Sequence, residues 1–219
     1  MADRFRSTSA IDRIFSFADE ALRTTLAPAE SRRRAGRVSP AGSISAAPLT
    51  EPETRHVAGL MRVNHAGEIA AQGLYHGQAL VARSPQVRSA LGEAALDEGD
   101  HLAWCEERLG DLGALPSRLS AVWYAGSVAI GAAMGLAGDA TSLGFIEETE
   151  RQVAAHLDRH LAQLPAADSR SRAILDAMRA DEVRHGTAAR EAGGRDLPAP
   201  VRALMLAVSR VMTFTAYRI

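Results

Sequence analysis

Glu98-Gly99-Asp100-His101 and Glu182-Val183-Arg184-His185 carry one pattern, Glu-x-x-His. Each trails a lone glutamate by about thirty residues, Glu68 in the first half and Glu150 in the second. Residues three apart on a helix share a face. If these segments are helical, the two halves aim four carboxylates and two imidazoles into one interior. That is the donor set of a dinuclear carboxylate site in a four-helix bundle, with a Glu from each of two helices and a Glu-x-x-His from each of the others. Carboxylate oxygen with imidazole nitrogen suits Fe(II), Mn(II) or Zn(II) better than Ca or Mg. Two divalent ions carry the charge that four buried carboxylates need for neutralisation. A single Glu-x-x-His arises easily as a surface acid beside a packed histidine, but two copies at matching offsets do not.

The flanking sequence reads as helix throughout. Thr50-Glu51-Pro52-Glu53 is a helix-start signal, with a Thr cap, an early Pro and early acids. The first helix of the folded part is expected over 52–82, ending before Ser84-Pro85. A second is expected over 85–109, stopped at Gly110 with Gly113 and Pro116 beyond. Others follow over 119–137, 139–164, 169–192 and 199–217. No stretch alternates like a strand, so the class is all-α. Aromatics are sparse at 5%, while Ala and Leu abound, which points the same way.

A chain of 219 residues with 47% hydrophobic content can bury one sizeable core and carry a tail. The domain is expected at 50–219. Residues 1–49 read as an N-terminal tail. Ile11, Ile14, Phe15, Ala18 and Leu22 fall near helical spacing there, so 11–26 predicts an amphipathic helix. The Ala-, Pro-, Ser- and Gly-rich stretch after it predicts a disordered linker. Its basic run Arg32-Arg33-Arg34 reads as a solvated tail, with attraction to anionic lipid as the alternative. Asp12, Asp19 and Glu20 argue against a transit peptide, and no apolar run with a cleavage site marks a secretory signal. A net charge of −1 gives no field for nucleic acid. Cys105 is the sole cysteine, so no intrachain disulfide forms, and burial explains it better than catalysis. No Gly-rich nucleotide fingerprint follows a strand.

From Leu119 to Gly138, twenty residues pass without a charge. That length meets the lower limit for a membrane span, but Gly and Ala dominate. Gly131 and Gly135 would allow close helix packing. The two readings are a buried central helix and a helix inserted in a membrane surface. The final helix is also apolar, broken by Arg202, Arg210 and Arg218, which suits a helix lying in a bilayer interface. Peripheral membrane contact is the favoured reading, ahead of a true span.

Within the site, Glu147, Glu148 and Glu150 crowd one turn. Glu147 and Glu150 share a face, so either can serve as the lone glutamate. Glu150 lies 32 residues before Glu182 and Glu147 lies 35, against 30 in the first half, so repeat symmetry favours Glu150. His156 falls roughly on the helical face of Glu150, as an outer partner or a solvated residue. Asp100 and Asp181 flank the motifs, either orienting ligand imidazoles or exposed. Trp104, Trp123 and Tyr124 read as packing residues.

The run Leu60-Met61-Arg62-Val63-Asn64-His65-Ala66-Gly67-Glu68 resembles the demethoxyubiquinone hydroxylase family of ubiquinone biosynthesis. So do Asp97-Glu98-Gly99-Asp100-His101-Leu102, Phe145-Ile146-Glu147-Glu148-Thr149-Glu150-Arg151-Gln152-Val153 and Asp181-Glu182-Val183-Arg184-His185. The resemblance covers about residues 50–219 and leaves 1–49 outside. It implies a ferritin-like four-helix bundle with additional apolar helices, and a di-iron monooxygenase that hydroxylates the ring of 2-polyprenyl-3-methyl-6-methoxy-1,4-benzoquinol with O2. Carried over by motif, the metal ligands are Glu68, Glu98, His101, Glu150, Glu182 and His185, with Glu147 as alternate to Glu150. His156 matches a histidine placed near the metal in relatives. The implied cofactors are two iron ions (Fe2+) and an external electron donor, ultimately NADH. The implied partners are the polyprenyl quinol and O2, with room for a lipid-binding accessory protein of the pathway and for a homo-oligomer. The implied location is the cytoplasmic face of a bacterial inner membrane, or the matrix face of the mitochondrial one in a eukaryote. The competing readings are another ferritin-like di-metal oxidase or peroxidase, and a non-enzymatic quinone-pathway scaffold.

Overall fold

A computed structural model describes residues 10–27 and 36–219. Among the described residues the chain forms seven helices and no strand: α1 (Ala10–Leu26), α2 (Glu51–Val81), α3 (Pro85–Asp111), α4 (Ser120–Leu136), α5 (Asp139–Gln163), α6 (Ser169–Glu191) and α7 (Ala199–Ala216). The class is all-α, and each bound falls within two residues of the expected one.

Local chemistry sets these bounds. Thr50 and Glu53 form a reciprocal capping box at the start of α2, in which Glu53 Oε2 accepts from the Thr50 N–H at 2.8 Å. Ser84 caps α3 ahead of Pro85. The Asp139 carboxylate accepts from the backbone N–H groups of Arg83 (3.1 Å) and Ser84 (2.8 Å), which ties the α2–α3 turn to the start of α5. Gly138 turns the chain from α4 into α5 at φ 114, a conformation that L side chains rarely adopt.

α2, α3, α5 and α6 form the bundle, and a simple sequence rhythm stacks its interior. Each of these helices carries an apolar residue, then an acid, then another apolar residue, at about two-turn spacing. The series are Met61, Glu68 and Tyr75 on α2, and Leu91, Glu98 and Cys105 on α3. α5 and α6 supply Leu143, Glu150 and Leu157, and Leu175, Glu182 and Ala189. At one end Met61, Trp104, Cys105, Leu157, Leu175 and Met178 pack together. At the other end the cluster is Tyr75, Leu91, Leu143, Ile146 and Ala189. The four glutamates are thus held in a layer closed above and below by apolar side chains.

α4 is not the buried central helix that one reading expected. Its buried residues are Tyr124, Gly131 and Gly135, while Val122, Ile130 and Leu136 are exposed. It lies on α2 because small residues on both helices let the backbones touch. A Cβ on Gly73 would meet the Tyr124 carbonyl at 2.6 Å. One on Gly77 would overlap the Val128 carbonyl, and one on Gly131 the Leu74 carbonyl. No helix among the described residues is long and apolar enough to cross a membrane. α7 buries only Ala216 and leaves Leu204, Val208, Val211 and Phe214 exposed.

The expected amphipathic helix near the N-terminus is α1. It packs Ala21 against Ile69, Leu102 and Tyr124, yet its apolar stripe of Ile11, Phe15 and Leu22 faces outward. Arg32-Arg33-Arg34 lies outside the described residues. Part of the expected linker is described, however, and lies on the bundle: Ala41 joins the apolar cluster around Met61 and Trp104.

Candidate metal centre

The bundle brings together Glu68 from α2, Glu98 and His101 from α3, Glu150 from α5, and Glu182 and His185 from α6. All six are buried. Their donor atoms form two overlapping groups, each with its members within 4.8 Å of one another. One group is Glu68, Glu98, His101 and Glu182, and the other is Glu98, Glu150, Glu182 and His185. Glu98 and Glu182 belong to both, so the two Glu-x-x-His glutamates sit between two donor groups. The lone glutamates and the imidazoles lie at the ends.

The imidazoles are set in matching ways. His101 turns Nδ1 inward, 3.0 Å from Glu98 Oε2, and Nε2 outward, 2.9 Å from Asp181 Oδ2. His185 places Nδ1 3.2 Å from Glu98 Oε1 and Nε2 3.0 Å from Asp97 Oδ2. An aspartate oxygen accepts, so each Nε2 carries the proton and each Nδ1 is left for the interior. The pairing crosses over: the aspartate before Glu182 holds the histidine of α3, and the aspartate before Glu98 holds the histidine of α6. Second partners of this kind fix tautomer and ring orientation at metal sites.

The electrostatics call for positive charge. Burial pushes the Glu68 and Glu182 carboxyls well up, and repulsion from Glu98 adds to it. Burial also raises Glu150. Glu98 lies well below the usual range, because contact with His101 and His185 outweighs the effect of its burial. Burial disfavours charge on the imidazoles, but the carboxylates outweigh it. They push His101 well up and His185 to about 9. Such a cluster takes up protons or metal cations, and metal binding displaces those protons. Among the described residues, Glu98 Oε1, Glu182 Oε1 and His185 Nδ1 are buried without a hydrogen-bond partner. Buried polar atoms are normally satisfied, so these three fit a role as cation donors. Hard carboxylate oxygens and two imidazole nitrogens fit a pair of first-row divalent ions, iron included.

The other sequence candidates fall around this cluster. Glu147 lies outside both groups, a quarter exposed, and pairs with Arg190 at 3.1 Å. Glu148 binds Arg151 and Gln152. His156 also lies outside both groups and meets His160 with the rings tilted at 59°, their centroids 3.9 Å apart. Asp181 backs an imidazole, whereas Asp100 does not and instead accepts from Arg37. Cys105 is packed against Met178 in the core.

Sequence reading passed over three residues. Asp97 had a signal in the doubled Asp-Glu-x-x-His, whose first member differs in neither half. Tyr75, two turns beyond Glu68 on the same face of α2, donates its hydroxyl to Glu150 Oε1 across the bundle. Arg37 had no signal, since nothing in an irregular Pro- and Ser-rich stretch shows which way its side chain turns.

The family described as Ubiquinone biosynthesis protein COQ7 matches residues 55–216. The chain is 61% identical over 190 residues to a 3-demethoxyubiquinol 3-hydroxylase of Cupriavidus metallidurans, covering 85% of this chain and 91% of that protein. It is 54% identical over 220 residues to the protein of the same name from Ralstonia pickettii, covering 95% and 100%. A Legionella pneumophila relative with that name is 51% identical over 214 residues, covering 98% and 100%.

Proposed function

Since the chain belongs to the COQ7 family of ubiquinone biosynthesis proteins, we propose that it is an O2-dependent monooxygenase. It hydroxylates the ring of demethoxyubiquinol, 2-polyprenyl-3-methyl-6-methoxy-1,4-benzoquinol. The observation that carries this reading is the pair of overlapping buried donor groups that share Glu98 and Glu182.

Glu68 and His101 would hold one iron, Glu150 and His185 the other, and Glu98 and Glu182 would reach both. When bound, a pair of ferrous ions supplies electrons to O2 and makes it reactive toward the ring. Full reduction of O2 takes four electrons. The ring C–H bond gives two, so an external donor, ultimately NADH, gives the other two. The protein's part is geometry and dryness. Asp97 and Asp181 keep Nδ1 of each imidazole turned inward, and Tyr75 holds Glu150. The apolar clusters on either side of the carboxylate layer exclude water.

A cavity of about 370 Å3 opens between α1, α2 and α3. Phe17, Leu80 and Leu96 line it, together with Gln72, Gly99 and Leu102, which lie within one turn of Glu68, Glu98 and His101. It is within the ~300–1,000 Å3 range of small-molecule sites, and we place the quinol ring there. The exposed apolar residues of α4 and α7 suit peripheral contact with the bilayer that carries the polyprenyl tail.

The test is the quinone profile of a deletion strain, read by mass spectrometry. Demethoxyubiquinone should accumulate, the wild-type gene should clear it, and a Glu182→Ala gene should not. A deletion strain without the demethoxy intermediate would overturn the substrate assignment. Full clearance by Glu182→Ala would overturn the site.

A further inference from the structure

The aspartates behind the two imidazoles are themselves held by a residue from outside the bundle. Arg37 lies in the segment before α2 and outside the residues that the family match covers. Its Nη1 donates to Asp181 Oδ2 at 2.6 Å, the same oxygen that faces His101 Nε2. Its Nη2 lies 3.4 Å from Asp97 Oδ1, on the carboxylate that holds His185 Nε2. Its Nε and backbone N–H both donate to Asp100 Oδ2, at 3.2 and 3.0 Å. One guanidinium therefore touches the aspartate clamps of both halves of the site and spans α3 and α6.

Asp100 shows what this contact does. It is fully buried, its Oδ1 has no hydrogen-bond partner among the described residues, and Oδ2 is bonded by Arg37. A buried carboxylate needs such a partner. The guanidinium is fixed in turn: it lies 4.9 Å from the Trp104 ring centre, and the Trp104 indole N–H donates to the Arg37 carbonyl at 3.3 Å. Trp104 also packs beside His101, with ring centroids 5.3 Å apart. Arg184 adds a second cation to Asp97 and Asp181 but does not reach Asp100, and its side chain is 56% exposed. Three aspartates met by Nε, Nη1 and Nη2 match a planar fork of five donors and not the point charge of a lysine.

We infer that Arg37 is a positioning residue for the metal centre, locking Asp97, Asp100 and Asp181 so that His101 and His185 present Nδ1 to the metals. It makes the segment before α2 a working part of the site. The inference rests on the metal-binding reading above.

The test is anaerobic titration of the full-length protein with Co(II), followed by its visible absorption and by competition with a chromophoric chelator. Wild type, Arg37→Leu, Arg37→Lys and Arg37→Leu/Asp100→Asn are compared, with helix content read by circular dichroism. Arg37→Leu should bind about 10–100-fold more weakly, the cost typical of losing a group that orients metal ligands. Its absorption bands should shift as the imidazoles lose their fixed orientation. Arg37→Lys should recover only part of the affinity. Arg37→Leu can misfold by stranding Asp100, so the double variant, which removes that charge, decides the question. If folded, it should stay weak. Wild-type affinity and spectrum in the double variant or in Arg37→Leu would overturn the role of Arg37 alone. Absence of Co(II) binding by the wild-type protein would overturn the metal reading and this inference with it.

Discussion

Three acids stand within one turn of α5, and their surroundings separate them. Glu150 is buried, receives the Tyr75 hydroxyl and lies within 4.8 Å of the donor atoms of Glu98, Glu182 and His185. Glu147 is a quarter exposed and holds the half-exposed Arg190, a surface pair worth about 0–1 kcal/mol. Glu150→Ala should therefore abolish hydroxylation in the complemented deletion strain, and Glu147→Ala should retain most of it. The reverse ranking would mean that the lone glutamate of the second half is misassigned. Spacing alone favoured Glu150 because the half-repeats nearly match. The neighbours of Glu150 could not be read that way, since Tyr75 lies on another helix.

The seam between α2 and α4 shows how far composition goes at the scale of an element. Gly131 meets the Leu74 backbone, whereas Gly126, on the same helix, has nothing within 4 Å of an added Cβ. Backbone cannot yield as a flexible side chain does, so Gly131→Ala should destabilise by about 3 kcal/mol. Gly126→Ala should stabilise by about 0.5–1 kcal/mol through helix propensity and a less flexible unfolded chain. Urea midpoints of the two variants give the comparison, and equal midpoints would refute the close seam.

α5 carries a pH-sensitive pair of its own. Burial, with help from Arg159, lowers His156 to about 4. His160 falls to about 3 through burial and the nearby His156 and Arg159. Both values lie below the ordinary 6.5, so the unfolded chain takes up these protons first. Stability is then full above pH 6.5 and is lost as pH falls toward 4 and 3. His156→Phe should flatten that loss by up to about 3 kcal/mol. Urea denaturation of wild type and variant between pH 7 and 4 measures it, and parallel curves would contradict a neutral His156 in the folded protein.

Across the whole molecule, α4 lies between two other partly apolar helices on the surface of α2. On one side Tyr124 and Val128 meet Ala21 of α1 around Ile69. On the other, Trp123 and Ala216 of α7 both pack around Val63 and Ala66. All three helices expose large apolar side chains, among them Phe15, Val122 and Phe214. Exposed apolar surface on neighbouring helices is the kind that contacts a partner or a membrane. Val211→Ser/Phe214→Ser should lower cosedimentation with phospholipid vesicles several-fold while leaving turnover of a short-tailed, water-soluble quinol unchanged. Undiminished vesicle binding would exclude α7 from the proposed membrane contact.

The amino-acid sequence by itself determined the helices, the Thr50 cap and the inward-facing donor set. These depend on local rules: the 3.6-residue period, capping chemistry, and the doubled glutamate with Glu-x-x-His. Tertiary structure alone decided what depends on neighbours distant in the chain. It placed Glu98 and Glu182 in both donor groups, crossed each aspartate to the histidine of the other half, and brought Arg37 to Asp181, 144 residues away. It also decided between the two readings of α4 as a buried or a surface helix, because glycines on α2 and α4 let the backbones touch while leaving the outer face uncovered. Periodicity reports which face of a helix is apolar. Which neighbour covers that face, or whether any does, is settled only when the helices pack.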